Sequence, residues 1–110
     1  MRLSEAPQDL DIGAVADAAG VATVEIRSTG NRAWLVSQVS VEMPDAPAGA
    51  FCTLRKAGAP ITALVANFDA AAGDPPITLR PGETLTVEWQ GLTPGQFGRV
   101  FVVYQSLDWN

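Results

Sequence analysis

The chain has 110 residues, of which 47% are hydrophobic, with a formal net charge of −5 at pH 7, one cysteine and no histidine. This length suits a single domain that buries roughly two-thirds of its unfolded surface without disulfides or metal. The lack of histidine excludes Ser-His-Asp and Cys-His catalysis and imidazole metal sites, and the single Cys52 excludes an intrachain disulfide and a cysteine zinc cluster.

The N-terminal residues 1–16 are interpreted as an arm or an extra strand. Residues 12–15 could form a strand that pairs with the next strand across a turn at 17–20, or the alanine-rich stretch could form a helical turn. Residues 21–28 then alternate cleanly, with Ala22, Val24 and Ile26 on one face. Such alternation indicates a strand with one face in solvent.

A turn at 29–31 leads into a second alternating segment, residues 33–43. Here Leu35, Val39, Val41 and Met43 share one phase, and Trp34 lies on the opposite face. Residues 44–49 read as a loop because their two prolines cannot donate to a ladder. The next strand covers residues 50–56, with Cys52 pointing inward.

The following strand, residues 61–68, is apolar on both faces. Residues 69–76 are rich in alanine, glycine and proline and predict the longest loop. A short strand at 77–80 and a Pro-Gly turn lead to residues 83–90, where Leu85, Val87 and Trp89 point inward. Proline sets φ and glycine accepts positive φ at these positions, which predicts a β-turn.

The last strand, residues 97–105, is apolar on both faces. A strand covered on both faces is either central in its sheet or buried against a partner subunit. The fold predicted from these elements is all-β: a single antiparallel β-sandwich of about seven to eight strands, jelly-roll or Ig-like, spanning residues 17–106. A flexible N-terminal segment precedes it and a short tail, residues 107–110, follows it.

Five apolar side chains are candidates for an interface with a partner protein, because aromatic and aliphatic anchors dominate such contacts. For Trp34 the alternative is packing in the core, and for Trp109 the alternative is folding back onto the sandwich. The candidates are Trp34, Phe101, Val103, Leu107 and Trp109.

No pattern predicts a catalytic, cofactor-binding or metal-binding residue. Asp69 and Asp74 could together ligate a hard cation, but an aspartate before proline is more typical of a turn. The seven basic residues are scattered, so we expect no nucleic-acid partner. The N-terminal residues lack the pattern of a secretory signal, so we expect none. The chain has no apolar run of ~20 residues, so we also expect no membrane partner.

One combination of turns and core positions is more specific than a generic β pattern. It comprises DAAG at 17–20, ATV at 22–24, WLVSQVSV at 34–41, CTL at 52–54, AAGDPPITLRPGETLTVEW at 71–89 and TPG at 93–95. It resembles small accessory virion structural proteins of tailed actinobacteriophages, of the capsid-decoration or minor tail and baseplate type. The resemblance spans most of residues 17–105 and contains no catalytic motif.

This resemblance implies a non-enzymatic protein that decorates or connects other virion proteins. It further implies assembly in the host cytoplasm and repetition as a homo-oligomer. The main alternative is a carbohydrate-binding or host-surface adhesion module that uses Trp34 or Tyr104 to stack on a sugar ring. An Ig-like module of a larger bacterial surface protein is a third reading.

Overall fold

The computed structural model describes residues 2–3, 8–56, 59–64 and 68–108, and within them the chain forms antiparallel strands and no helix. In this part of the chain, no helix reaches the length and apolarity of a membrane span. The strands are β1 (Arg2–Leu3), β2 (Gln8–Val15), β3 (Ala22–Arg27), β4 (Arg32–Glu42), β5 (Phe51–Lys56), β6 (Ala59–Leu64), β7 (Phe68–Leu79), β8 (Thr84–Gln90) and β9 (Phe97–Asp108).

The strands form two sheets that pack face to face. The large sheet has the order β2-β9-β4-β7, with β1 also paired to β9, and the small sheet has the order β3-β8-β5-β6. This order of eight strands in two sheets is that of a jelly roll. The predicted antiparallel β-sandwich is therefore confirmed, and the topology selects the jelly roll over the Ig-like alternative. The two-residue β1 is additional to the predicted strands.

The core lies between the sheets and follows directly from the alternation in the sequence. In the small sheet Val87 stands between Val24 and Leu54 in register, and all three side chains are buried. In the large sheet Val102 stands beside Val39, and both side chains are fully buried. These rows bury apolar area on both inner faces, which is the main stabilisation of a sandwich.

The predicted side-chain phase of β4 is wrong for its first half, because the strand contains a β-bulge. The register with both neighbouring strands shifts between Val36 and Gln38, so Ser37 is an extra residue and the side chains on its two sides change phase. Trp34 therefore points inward together with Val39, and its side chain is buried. Leu35, which the sequence places inward, is on the outer side of the sheet and only half-buried.

The N-terminal strand is longer than predicted and pairs elsewhere. β2 begins at Gln8, and its partner is β9 rather than the following strand β3. The turn at 17–20 carries the chain into the other sheet, where the Asp17 carboxylate accepts hydrogen bonds from the backbone N–H groups of Ala19 and Val21 at 2.9 and 3.0 Å. The expectation of a hairpin across this turn is wrong because the turn crosses between layers.

The loop expected at residues 69–76 is part of strand β7, so that prediction is wrong as well. Among the described strands, β7 pairs only with β4 and is an edge strand. An edge strand tolerates proline because its outer side needs no donor. Residues 73–76 carry the prolines and lie between the paired Ala72 and Ile77, opposite the β4 bulge. The strand expected at 61–68 is β6, which ends at Leu64.

The C-terminal strand extends beyond its predicted end. β9 reaches Asp108 and pairs with β4 along its length, so residues 107 and 108 belong to the sheet rather than to a tail. Leu107 lies opposite Ala33 in register, and both side chains are buried. β9 is central in the large sheet, but the small sheet covers only its inner face, so Phe97 and Phe101 on its outer face stay exposed.

Candidate functional site

The side chains of β2, β9 and β4 that point away from the small sheet form a surface that we call the β9 face. Its central row is Phe97, Arg99, Phe101 and Val103, because alternate residues of a strand share a face. Phe97 is 53% exposed, Phe101 is 39% exposed and Val15, opposite Phe97 on β2, is 60% exposed. Val15 and Phe97 form one exposed apolar cluster and Phe101 forms a second, and exposed apolar side chains of this size mark interaction surfaces.

Charged side chains interrupt this apolar row at Arg99. The guanidinium lies 4.0 Å from the Asp11 carboxylate on β2, and both side chains are more than half exposed. On the other side of β9, Glu42 of β4 is directly opposite Arg99 in register. Among the described residues, the exposed Glu42 carboxylate has no ion-pair or hydrogen-bond partner. The face thus carries a cation next to an anion that has no protein partner among the described residues.

A shallow depression of about 280 Å³ lies beside Phe101, lined chiefly by Asp11, Ser40, Glu42 and Arg99. Ser40 is opposite Phe101 in register, and its small side chain leaves the space next to the ring open. The Ser40 hydroxyl accepts a hydrogen bond from the Gln38 amide at 3.0 Å. The ring and the hollow are therefore neighbours on adjacent strands.

Phe97 owes its position to a glycine on the neighbouring strand. A Cβ built on Gly13 would lie 2.8 Å from the Phe97 ring, so the ring covers the space that a side chain would fill. Gly13 lies two residues before Val15, the register partner of Phe97, and so on the same face of β2. The aromatic ring thus extends over β2 at Gly13, and about half of the residue stays exposed.

The outer face of the small sheet has a different character. It carries threonines and charges, with Arg55 3.3 Å from Glu88 and Arg27 Nε donating to the Thr84 hydroxyl at 2.9 Å. The charges on this face have partners, as is common on a solvated sheet. Phe51, at the start of β5, is an exposed aromatic on this sheet. The contrast makes the β9 face the better candidate for a contact surface.

The structure divides the predicted interface residues between interior and surface. Phe101 and Val103 lie on the β9 face. Trp34 and Leu107 have 6% and 3% of their surface exposed, so they are not available to a partner, because the β4 bulge and the extension of β9 place them in the folded domain. Trp109 lies outside the described residues.

The sugar-stacking platform proposed for the alternative function is also affected. The Trp34 ring stacks against Tyr104 with centroids 3.9 Å apart, and the Tyr104 hydroxyl donates to Gln8 at 2.9 Å. A buried tryptophan cannot receive a sugar ring, and Tyr104 uses one ring face for this stack. The two aromatics serve packing within the sandwich.

Sequence reasoning missed Val15, Phe97 and the charges around Arg99. Period-two alternation from Phe101 back to Phe97 was a usable signal. Val15, Asp11 and Glu42 carried no local signal, because their placement depends on which strands flank β9. Pairing between residues far apart in sequence brings them together.

The depression beside Phe101 is lined by one hydroxyl, that of Ser40, and by the carboxylates of Asp11 and Glu42. The hydrogen-bond partner of Ser40 is an amide, which cannot take up a proton as a general base does. Over the part of the chain that the structure describes, no group of three or more Cys, Asp or Glu residues could hold a metal ion. The side chains of Asp69 and Asp74 lie outside the described set.

Comparisons with known proteins place the chain in no established group. No protein-family model matches it, and no curated protein matches it. Among solved structures it is similar to dimeric latent PorU from Porphyromonas gingivalis, with 11% sequence identity and a TM-score of 0.38. The similarity covers 91% of this chain and 13% of that one, and a likeness of this degree supports no conclusion about function.

Proposed function

We propose that this protein is a non-enzymatic structural protein of a phage virion that decorates or connects other virion proteins. The observation that carries the proposal is the β9 face: Val15, Phe97 and Phe101 expose large apolar surface on one side of a jelly roll. Burying such apolar surface against another protein removes it from water, which stabilises the complex. The partners are other virion proteins and further copies of the chain, rather than nucleic acid or membrane.

The remaining support comes from the sequence pattern and from the fold. The turns and core positions resemble accessory virion proteins, and jelly rolls occur in viral capsid proteins. The same fold also occurs in lectin domains and cupins, so the fold-level argument is an analogy. The absence of histidine from the chain removes the Ser-His-Asp and Cys-His mechanisms, which is compatible with a structural role.

Immunogold electron microscopy tests the proposal directly. Particles of the phage or prophage that encodes the chain are labelled with an antibody against the native protein, and particles from a gene deletion serve as the control. Label over the head indicates capsid decoration, and label restricted to the tail indicates a connector. Absence of label from intact particles that show no copy of the chain by mass spectrometry overturns the proposal.

A pair of variants tests the role of the β9 face in the same particles. Phe97→Lys places a charge in the apolar row, so we expect loss of the protein from purified particles. Phe51→Lys changes an aromatic of similar exposure on the small sheet and is expected to be incorporated normally. Equal incorporation of both variants contradicts the assignment of the β9 face as the contact surface.

A further inference from the structure

The β9 face combines features that complement each other on two adjacent strands. On β9 there is a projecting aromatic, Phe101, and a cation, Arg99. On β4 the residues directly opposite them are a small side chain, Ser40, and an anion, Glu42. The aromatic ring on β9 is thus paired in register with a small side chain on β4, and the cation on β9 is paired with an anion on β4.

We propose that the β9 face binds the β9 face of a second copy of this chain, around a two-fold axis that runs parallel to β9 between β9 and β4. A two-fold interface brings the same patch of both copies together, so residue i meets residue j and residue j meets residue i. This axis exchanges β9 and β4. Every registered pair between the two strands therefore becomes two contacts between the copies.

The ring and the hollow make the first complementary contact. Phe101 of one copy lies over Ser40 of the second copy, where the depression of about 280 Å³ receives the ring. The two-fold axis repeats the same contact with the copies exchanged. An aromatic anchor in a pocket near the centre of the contact is the feature that most often dominates protein association.

The charges make the second contact. Arg99 of one copy faces Glu42 of the second copy, so the carboxylate that has no partner among the described residues of its own chain gains one. The interaction with Asp11 leaves the guanidinium free to take a second acceptor, because it has five N–H donors. Two such pairs form per dimer.

The same axis keeps like charges apart. It places β2 of one copy over β7 of the other, so Asp9 and Asp11 on β2 do not face their own counterparts. A direct overlay of β9 on β9 would instead set Arg99 against Arg99. The arrangement of charges therefore favours this axis over the other parallel alternative.

The size of the face is sufficient for a specific dimer. The molecule measures 43 × 22 × 21 Å along its principal axes, and β9 runs through the large sheet for twelve residues. A standard interface buries about 800 Å² on each partner, which a face of these dimensions can supply. The apolar Phe97 and Val103 extend the contact along β9 on both sides of Arg99 and Phe101.

The inference rests on the part of the proposed function in which the β9 face is buried against protein. It concerns the isolated chain, so its test requires no virion. A monomeric protein that still labels particles overturns this inference alone, whereas a dimer with no place in particles overturns the virion role alone.

Sedimentation velocity of the purified full chain, from roughly 5 to 500 μM, tests the dimer over the range of micromolar dissociation constants. We expect the weight-average mass to rise from 11.6 kDa toward twice that value. A mass that stays monomeric over the whole range overturns the proposal.

Charge reversal then identifies the axis. Arg99→Glu and Glu42→Arg each place like charges across the dimer, and we expect each to raise the dimer dissociation constant about tenfold or more. The double variant R99E/E42R restores opposite charges and is expected to return the constant to within about threefold of the original. Singles without effect, or a double variant without rescue, contradict the axis.

Two further variants test the ring and the hollow. Phe101→Ser removes the ring, and Ser40→Trp fills the hollow while leaving the ring in place, so we expect both to be monomeric at concentrations where the original chain is dimeric. Phe51→Ser is the matched control on the small sheet and should dimerise normally. Circular dichroism confirms that each variant is folded. A folded S40W dimer of unchanged affinity overturns the proposal.

Discussion

The rings of Trp34 and Tyr104 stack within the sandwich, with centroids 3.9 Å apart and planes 18° from parallel. They come from neighbouring strands, where Tyr104 pairs with Val36 and Trp34 pairs with Ser106. The two rings are thus diagonal neighbours on the inner side of the large sheet. This contact packs Trp34 into the interior, while Tyr104 stays partly exposed.

The first prediction concerns this stack. Trp34→Ala removes a buried side chain and leaves a cavity, so we expect the free energy of unfolding to fall by about 3–5 kcal/mol. Urea unfolding followed by circular dichroism measures the change. Thr23→Ala, an exposed change on β3, should stay within about 0.5 kcal/mol of the original protein. A loss below about 1 kcal/mol for Trp34→Ala would mean that the ring is not buried in solution.

The second prediction uses two glycines with the same kind of backbone conformation. Gly20 and Gly30 have φ of 77° and 57°, where an alanine costs about 1–2 kcal/mol. A Cβ on Gly20 would also overlap the Leu92 carbonyl oxygen, whereas a Cβ on Gly30 meets nothing within 4 Å.

We therefore expect Gly20→Ala to lower the free energy of unfolding by about 2 kcal/mol more than Gly30→Ala does, because overpacking adds to the backbone cost. Thermal unfolding of the two variants side by side measures the difference. Equal losses would show that the Gly20 turn shifts away from Leu92 at little cost.

The third prediction concerns Gln96, which joins two turns at one end of the sandwich. Its amide nitrogen donates to the carbonyl oxygens of Pro44 and Asp45 at 3.1 and 2.8 Å, and its amide oxygen accepts from Thr93 N–H at 2.9 Å. Gln96→Ala should lower the free energy of unfolding by about 2 kcal/mol, since each hydrogen bond contributes about 0.5–1.5 kcal/mol.

Gln96→Glu separates the contributions of the donor and the acceptor. It keeps the acceptor for Thr93 but sets a carboxylate against two carbonyl oxygens, so we expect a loss at least as large as that of the alanine variant. Denaturant unfolding at neutral pH measures both. A glutamate variant as stable as the original protein would show that the two carbonyl contacts contribute nothing.

The fourth prediction concerns the reactivity of Cys52. Its side chain is fully buried in β5, between Trp89 and Leu64 in register, so a thiol reagent reaches it only after the structure opens. We expect labelling of the native protein to be slower than that of the unfolded protein by about 10³-fold or more, given a free energy of unfolding of at least ~5 kcal/mol.

The variant Thr23→Cys supplies an exposed thiol as a control in the same molecule. It should react at once with one equivalent of reagent, while Cys52 continues to react slowly. Rapid uptake of one equivalent by the original protein would place Cys52 at the surface and contradict the position of β5 in the small sheet.

Local alternation was sufficient to predict the inner face of several strands. In β8 it correctly placed Leu85, Val87 and Trp89 inward, and in β3 it correctly placed Val24 and Ile26 inward. A strand with one buried face must repeat its apolar residues every two positions, so the evidence lies within the segment itself.

Prediction from local patterns failed where a strand contains a bulge or lies at the edge of its sheet. The bulge at Ser37 left Trp34 on the wrong side of the predicted phase, because one extra residue reverses the side-chain direction. The Gly-Asp-Pro-Pro stretch of β7 has the composition of a loop. It can belong to a strand because that strand lies at a sheet edge, which the local sequence does not reveal. Neither feature has a local signature in the sequence.

The sequence by itself determined the all-β class, the positions of most strands and the residues that fill the core, because these depend on spacing within short segments. Only the tertiary structure decided that β9 lies between β2 and β4, which sets Glu42 beside Arg99 and Ser40 beside Phe101. Strand pairing joins residues about sixty positions apart, and its choice depends on the packing of the whole sandwich. The candidate interaction surface is a product of that pairing.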